Sequence, residues 1–396
     1  MKNEETQACR DASEFRFDPL TERWALVAEG RGKRPSNIAR KRDDDIGDRT
    51  KDEASWRCPF CPGNENETTP AVATIVLKRV VDDSQDVDRL TPDDFEILDG
   101  GRVNPARRWF ARVVENKYPA FRVTDLVGSP TSFAKVERDA SGFHRSLRAF
   151  GRHEVLIDTN RHIRGWGEAS RLEVQLVFRA FRSRLQAFRD AGIFGYAFAF
   201  KNVGENAGAS QPHAHCQLTA TEAVPRDIVR EFDNLARLDS AYGSYWDALF
   251  DVERRAGVRI VWETERYVVY CPYASRFPGE TEICPKFDRR FEDYDNEELD
   301  ELATLAQEVA RALERCAHSS AVERSAPRRE PFDYNALLRN IPYVFSNDEL
   351  APKSLRPRWA FLPSLVKKAG FELGSGIDIN PVAPETIAAK LRSYFA

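Results

Sequence analysis

Ser210-Gln211-Pro212-His213-Ala214-His215-Cys216-Gln217 is the stretch on which the fold and chemistry of this chain turn. Two imidazoles stand two residues apart, and on an extended backbone residues i and i+2 point to the same side. One ring can bind a metal while the other faces a substrate, with Gln217 projecting from the same face as His215. The preceding loop is small and polar, with Gly204, Asn206, Gly208 and Ser210. Such a loop can bring backbone N–H groups and an Asn amide to phosphate oxygens. An uncharged imidazole among those donors is placed to attack phosphorus, and a phosphoramidate is energetic enough to be passed on. The donors would hold the charge that builds on the equatorial oxygens. Taken alone, the pair could equally be two ordinary surface or core histidines.

A second pattern lies upstream, Cys58-Pro59-Phe60-Cys61. A C-x-x-C turn sets two thiolates within reach of one ion, and zinc takes four ligands, commonly Cys and His. A redox pair would sit at a helix N-terminus after a strand. Here Pro62-Gly63-Asn64 follows at once, which speaks against a helix. Metal binding is the favoured reading; a redox pair and bystander thiols are the alternatives. The seven cysteines are odd in number in a long chain, so a secreted disulfide framework is not suggested. Of the six histidines, five fall between His144 and His215, which marks where chemistry sits.

Working outward, residues 153–159 (HEVLIDT) alternate as a half-buried strand does. Val174, Val177, Phe178, Phe181, Leu185 and Phe188 then recur at steps of three and four, which predicts a long helix with Ser170 as its N-cap. Residues 196–203 (YAFAFKNV) predict another strand, and residues 204–212 a loop leading into a short strand over 213–219. Residues 109–121 start as a strand and break at Pro119. The same order recurs faintly downstream. Residues 266–273 and 280–286 predict strands, Leu299, Leu302, Leu305, Val309 and Leu313 a helix, and residues 332–339 a further strand. The expectation is a duplicated α+β fold whose second copy lacks the histidines. Residues 1–22 read as loosely held and 36–57 as an exposed loop.

The bulk numbers agree. At 396 residues the chain exceeds one ordinary core, so two domains or a duplicated one is expected. With 42% hydrophobic and 31% charged residues it has a globular composition. A net charge of −4 without a long basic stripe argues against bulk nucleic-acid binding. The segment after Met1 lacks the apolar core of a signal peptide and no run is long enough to span a bilayer, so a cytoplasmic location is expected.

These residues resemble the galactose-1-phosphate uridylyltransferase family of the histidine-triad superfamily, including its ADP-glucose phosphorylase branch. The family motif Ser-x-Pro-His-x-His-x-Gln stands here as 210–217, with C-x-x-C upstream, and the resemblance runs from Arg23-Trp24 to Leu391-Arg392. It implies two tandem histidine-triad-like repeats, each an antiparallel sheet with packed helices. Residues 1–225 would form the catalytic repeat with the zinc site, and 226–396 the degenerate one. His215 would be the nucleophile that becomes nucleotidylated, assisted by Gln217. Cys58, Cys61, His162 and His213 would hold one zinc ion, with His153 competing with His162 for the fourth place. Gln217 and Ser210 would bind the transferred phosphoryl group, Asn202 the phosphate side, Asn116 the nucleoside, and Arg31 and Arg34 the substrate phosphates.

Several positions depart from the family pattern. The run Pro285-Lys286-Phe287-Asp288 and Arg339 carry no histidine where a second metal motif would, so a second metal is not expected. Lys117 replaces an acidic residue after the nucleoside-side Asn, and residues 370–381 look closer to the phosphorylase branch. The resemblance implies ping-pong UDP-glucose:hexose-1-phosphate uridylyltransferase activity through nucleotidyl-His215, with galactose 1-phosphate as acceptor. The alternatives are ADP-glucose phosphorylase, moving adenylyl to phosphate, and a non-catalytic nucleotide-binding zinc protein. A homodimer, in which the Arg31/Arg34 region reaches the partner's site, is also implied.

Overall fold

Residues 151–221 build the centre of the molecule. The computed structural model describes residues 13–28, 57–78, 90–100, 108–123, 137–138, 141, 143–146, 149–321, 332–343 and 352–395. The strands are β1 (Glu14–Asp18), β2 (Arg23–Val27), β3 (Ala71–Leu77), β4 (Phe95–Asp99), β5 (Trp109–Glu115), β6 (Glu137–Arg138), β7 (Arg145–Ser146), β8 (Gly151–Ile157), β9 (Tyr196–Val203), β10 (His215–Thr221), β11 (Ile260–Glu263), β12 (Tyr267–Tyr270), β13 (Thr281–Pro285), β14 (Tyr334–Arg339), β15 (Arg358–Pro363) and β16 (Asp378–Asn380). The helices are α1 (Arg171–Asp190), α2 (Arg226–Tyr242), α3 (Tyr245–Ala256), α4 (Asn296–Ala321), α5 (Gly370–Ser375) and α6 (Pro384–Arg392).

Ser170 caps α1 as its sequence predicts. Its hydroxyl accepts from the Glu173 N–H at 3.2 Å, and the Glu173 carboxylate accepts from the Ser170 N–H at 2.7 Å. Val174, Val177, Phe178, Phe181, Leu185 and Phe188 are all buried along its inner face. Eleven strands then form one sheet in the order β11-β12-β13-β15-β14-β9-β10-β8-β5-β3-β4. The ladders are antiparallel, including the seam where Tyr334 of β14 pairs with Val203 of β9. Read inward to that seam, one side runs β5-β8-β10-β9 and the other β12-β13-β15-β14. Helix α1 follows β8, and α4 follows β13. The fold is therefore mixed α+β, with the same strand order on both sides and an unbroken sheet crossing residue 225.

Helices α1 and α4 cover one face of the sheet. Gln307 of α4 donates to the carbonyls of Trp166 and Ala169, at 3.1 and 2.7 Å. Between helices and sheet, the Trp359 ring packs 5.7 Å from Trp166, 5.2 Å from Phe178 and 5.3 Å from Phe181. Glu154 turns from β8 to this helical face, where Arg184 grips it with two bonds of 2.9 Å. His153, Val155 and Ile157 alternate with it and so face the other way. That opposite face carries the candidate site.

Two expectations are corrected, and one segment without an expectation gains structure. The strand predicted from His213 begins at His215. Ala214 bonds instead to the loop after β8, accepting from the Asp158 N–H at 3.1 Å and donating to Ile163 O at 2.6 Å. Residues 14–27 are not loose: β1 and β2 form a hairpin, joined by β16 in parallel. Arg16 anchors it, pairing with Glu385 of α6 at 2.9 Å. Residues 226–256, given no structure above, form the amphipathic α2 and α3. Residues 36–56 lie outside the described residues.

Trp359→Ala should cost about 3–5 kcal/mol of unfolding free energy, since it opens a cavity inside a fully buried aromatic cluster. Leu373→Ala, at a side chain 74% exposed, should stay within about 0.5 kcal/mol. Urea denaturation of both variants checks the contrast.

Candidate active site and metal-binding cluster

The turn at 58–61 is closed by the Cys61 N–H donating to Cys58 O at 3.3 Å, while Asn64 Nδ2 donates to the same carbonyl at 2.7 Å. Cys58 Sγ and Cys61 Sγ each lie 3.5 Å from His213 Nδ1, and Cys61 Sγ lies 3.2 Å from His162 Nδ1. The four potential ligand atoms fall within 4.8 Å of one another. A tetrahedron with metal bonds of about 2.0–2.3 Å has edges of roughly 3.3–3.8 Å, so this set can close on one ion with little movement. His213 is oriented for it. Its Nε2–H donates to Thr159 O at 2.9 Å, which leaves the Nδ1 lone pair toward the thiols. Burial and the neighbouring Cys58 thiol push the Cys61 thiol up to about 11. A cation between them would supply the charge that lets both ionise.

His215 opens β10 and is 5% exposed. Its Nδ1 lies 2.9 Å from His213 O. A carbonyl only accepts, so Nδ1 carries the proton and Nε2 keeps its lone pair. Burial, reinforced by the Lys201 cation, pushes the ring below the ordinary histidine range. The uncharged imidazole is the nucleophilic form. Lys201 is fully buried beneath it; Nζ donates to Asp158 Oδ2 at 2.7 Å and to His215 O at 3.1 Å. A cavity of about 440 Å³ opens at the ring, lined among others by Phe60, Asn116, Lys117, Ser210, His215 and Gln217.

The structure thus brings His215, Gln217, Ser210 and Asn116 to one cavity, with Cys58, Cys61, His162 and His213 beside it. His153 stands apart from the cysteines: its Nε2 lies 2.7 Å from Gln217 Oε1. Asn202 does not line this cavity, and its Oδ1 accepts from Asn335 Nδ2 at 2.8 Å. Arg31 and Arg34 lie outside the described residues. The amide of Asn206, read above as a phosphate donor, is bound elsewhere: both its N–H and its Nδ2 donate to Asp333 Oδ2 at 2.9 Å. Gly204 permits this anchor. It has φ +87°, and a Cβ there would fall 1.9 Å from Asp333 Oδ1. The loop that follows β9 is therefore pinned by a carboxylate that precedes β14.

Sequence reasoning missed the roles of Lys201, Asp158 and Arg57. Lys201 had a signal: a lone cation inside the apolar run of a central strand demands a buried partner. Arg57 lines the cavity beside the C-x-x-C turn. In the second half, Asp288 accepts from Arg356 Nε at 2.8 Å. A second cavity of about 330 Å³ is lined by Tyr270, Glu282 and Arg358, among others. Arg358 is held there between Glu231 at 2.7 Å and Glu282 at 3.0 Å. Its buried charges are mutually paired, and neither histidine nor cysteine is among its lining residues. No helix among the described residues is long and apolar enough to cross a membrane.

Residues 77–225 match the family model described as galactose-1-phosphate uridyl transferase, N-terminal domain. The chain is 25% identical over 382 residues to an ADP-glucose phosphorylase of Arabidopsis thaliana, covering 96% of this chain and 92% of that one. It is 24% identical over 397 residues to a galactose-1-phosphate uridylyltransferase of Hypocrea jecorina, covering 97% and 95%. Among solved structures, an ADP-glucose phosphorylase from Arabidopsis thaliana with bound ADP-glucose superposes with a TM-score of 0.68 at 24% identity, over 96% of this chain and 99% of that one. The resemblance to the galactose-1-phosphate uridylyltransferase family, with its ADP-glucose phosphorylase branch, is borne out by these matches.

Purified protein should carry about one metal ion per chain by elemental mass spectrometry. His162→Ala should lower that content severalfold, as second-sphere losses alone reach 10–100-fold in affinity. His153→Ala should leave it unchanged. Full metal retention in His162→Ala would overturn the ligand assignment.

Proposed function

We propose that this chain is a zinc-containing nucleotidyltransferase that takes a nucleoside monophosphate from a sugar nucleotide onto His215 and passes it to a phosphate-bearing acceptor. The observation that carries the reading is the tautomer of His215. Its proton is held by His213 O at 2.9 Å, and its free nitrogen belongs to a cavity that Gln217 and Ser210 also line. The names of the relatives, galactose-1-phosphate uridylyltransferase and ADP-glucose phosphorylase, support an enzyme of this class.

In the first half-reaction the Nε2 lone pair attacks the α-phosphorus of the donor. The bond from that phosphorus to the bridging oxygen breaks, and the sugar 1-phosphate leaves with the electron pair. The leaving phosphate is already anionic, so no general acid is required. The nucleotidylated ring gains positive character, which the His213 carbonyl at Nδ1–H offsets. In the second half-reaction an acceptor phosphate oxygen attacks the same phosphorus and the P–N bond breaks. Gln217 and Ser210 donate to the equatorial oxygens, where charge builds. Zinc bound by Cys58, Cys61, His162 and His213 would fix the His213 loop against the 58–61 turn, two residues from the nucleophile.

UDP-glucose as donor with galactose 1-phosphate as acceptor is the first reading, and the name of the relatives called galactose-1-phosphate uridylyltransferase supports it. ADP-glucose with inorganic phosphate is a second reading, favoured by the phosphorylase relative matched over 92% of its length. The mirrored order β5-β8-β10-β9 and β12-β13-β15-β14 supports two tandem histidine-triad-like repeats, divided at residue 225. In that scheme Arg358 opens β15 where His215 opens β10. A homodimer that brings Arg31 and Arg34 to a partner's site belongs to the same proposal.

Intact-mass spectrometry after exposure to UDP-glucose or to ADP-glucose tests the reading. The wild-type chain should gain the mass of UMP or of AMP, which also names the donor. His215→Gly should gain neither and still bind the nucleotide. Full exchange activity in His215→Gly would sink the nucleophile assignment, and tight binding without any adduct would favour a non-catalytic protein.

A further inference from the structure

We propose that His153 is a positioning residue that holds the Gln217 side-chain amide with its NH₂ group turned toward the nucleophile. The inference rests on His215 being that nucleophile. In the ladder between β8 and β10, His153 pairs with Thr219 and Val155 pairs with Gln217. His153 and Gln217 are therefore diagonal neighbours on one face, within reach of long side chains.

A main-chain donor sets the direction of the bond between them. The Ala120 N–H donates to His153 Nδ1 at 3.1 Å. That nitrogen must then carry the lone pair, and Nε2 the proton. The Nε2–H accordingly donates to Gln217 Oε1 at 2.7 Å. With its oxygen engaged, Gln217 presents Nε2, a two-hydrogen donor, on the side that lines the cavity at His215. Asn116 Nδ2 also lies 3.2 Å from His153 Nε2, with Asn116 Oδ1 accepting from the Tyr118 N–H at 2.8 Å; two donors cannot bond each other, so the Nε2–H goes to the shorter contact with an acceptor, Gln217 Oε1.

The orientation matters because a glutamine amide is nearly symmetric in shape and opposite in charge at its two ends. Turned over, it would put a carbonyl oxygen against a phosphoryl oxygen that gains negative charge in the transition state. A donor so placed is commonly worth about 10²–10³ in kcat. His153 touches neither the transferred phosphorus nor the cysteines; it acts through Gln217.

The test is a double-mutant cycle in the full-length metal-loaded protein, with a spectroscopic check that does not depend on turnover. His153→Phe keeps the ring volume and removes the donor. It should lower kcat about 10²-fold, as should Gln217→Ala, with metal content and KM for the sugar nucleotide little changed. The double variant should lose no more than either single one, because both remove the same donor. His153→Gln, which can donate again, should recover most of the rate. Multiplied losses in the double variant would overturn the inference. ¹⁵N NMR of the resting protein should show His153 as the Nε2–H tautomer; the Nδ1–H tautomer would overturn it as well. Absence of any nucleotidyl adduct on the wild-type chain would instead remove the nucleophile reading, while the tautomer still reports on the bond to Gln217.

Discussion

A single ammonium ion with no access to water organises the centre of this molecule. Lys201 rises from β9, donates to Asp158 at the end of β8, and donates to the main-chain carbonyl of His215 at the start of β10. Three adjacent segments are thus tied at one point. The Asp158 carboxylate also accepts from Trp166 Nε1 at 3.0 Å, and the Trp166 ring belongs to the aromatic core beneath α1 and α4. A buried charge left without its partner costs several kcal/mol, so neither member can be lost cheaply. The packing of the core and the placement of the His215 ring consequently share one constraint.

From that point the site is built by main-chain carbonyls acting in series. Thr159 O fixes the His213 ring, and the carbonyl of His213 fixes the His215 ring. Each carbonyl takes the proton of one nitrogen and frees the other, the first toward the thiols and the second toward the cavity. The two rings need no shared strand face to point in different directions. The backbone between them is held to the loop after β8 through Ala214, and that loop carries His162 as well.

Much of this was legible beforehand because it is local. The spacing of Val174 to Phe188 and the Ser170 cap announced α1, and the apolar run that opens 196–203 announced β9 with its observed bounds. The C-x-x-C turn and His213 pointed to the ligand cluster that the fold assembles. What escaped depends on distant partners. His153 lies within β8 and His162 just beyond it, and only the fold shows that His162 meets Cys61 and His153 meets Gln217. The start of β10 was misplaced because Ala214 finds its bonds outside the ladder. The N-terminal hairpin looked loose because its anchor, Glu385, lies 369 residues away from Arg16. Asn206 carries the composition of a phosphate donor, yet Asp333 claims it.

The seam between β9 and β14 bears on how this chain can be taken apart. It runs through the middle of the sheet, with Asn202 and Asn335 clasped across it and Asp333 reaching over to hold the loop that follows β9. Severing the polypeptide near residue 225 would leave two pieces, each with a long unsatisfied row of amide and carbonyl groups at its rim. Such pieces invite self-association when made separately. Produced together they have a ready template in each other, so the enzyme is suited to reconstitution from two polypeptides and poorly suited to minimisation into one.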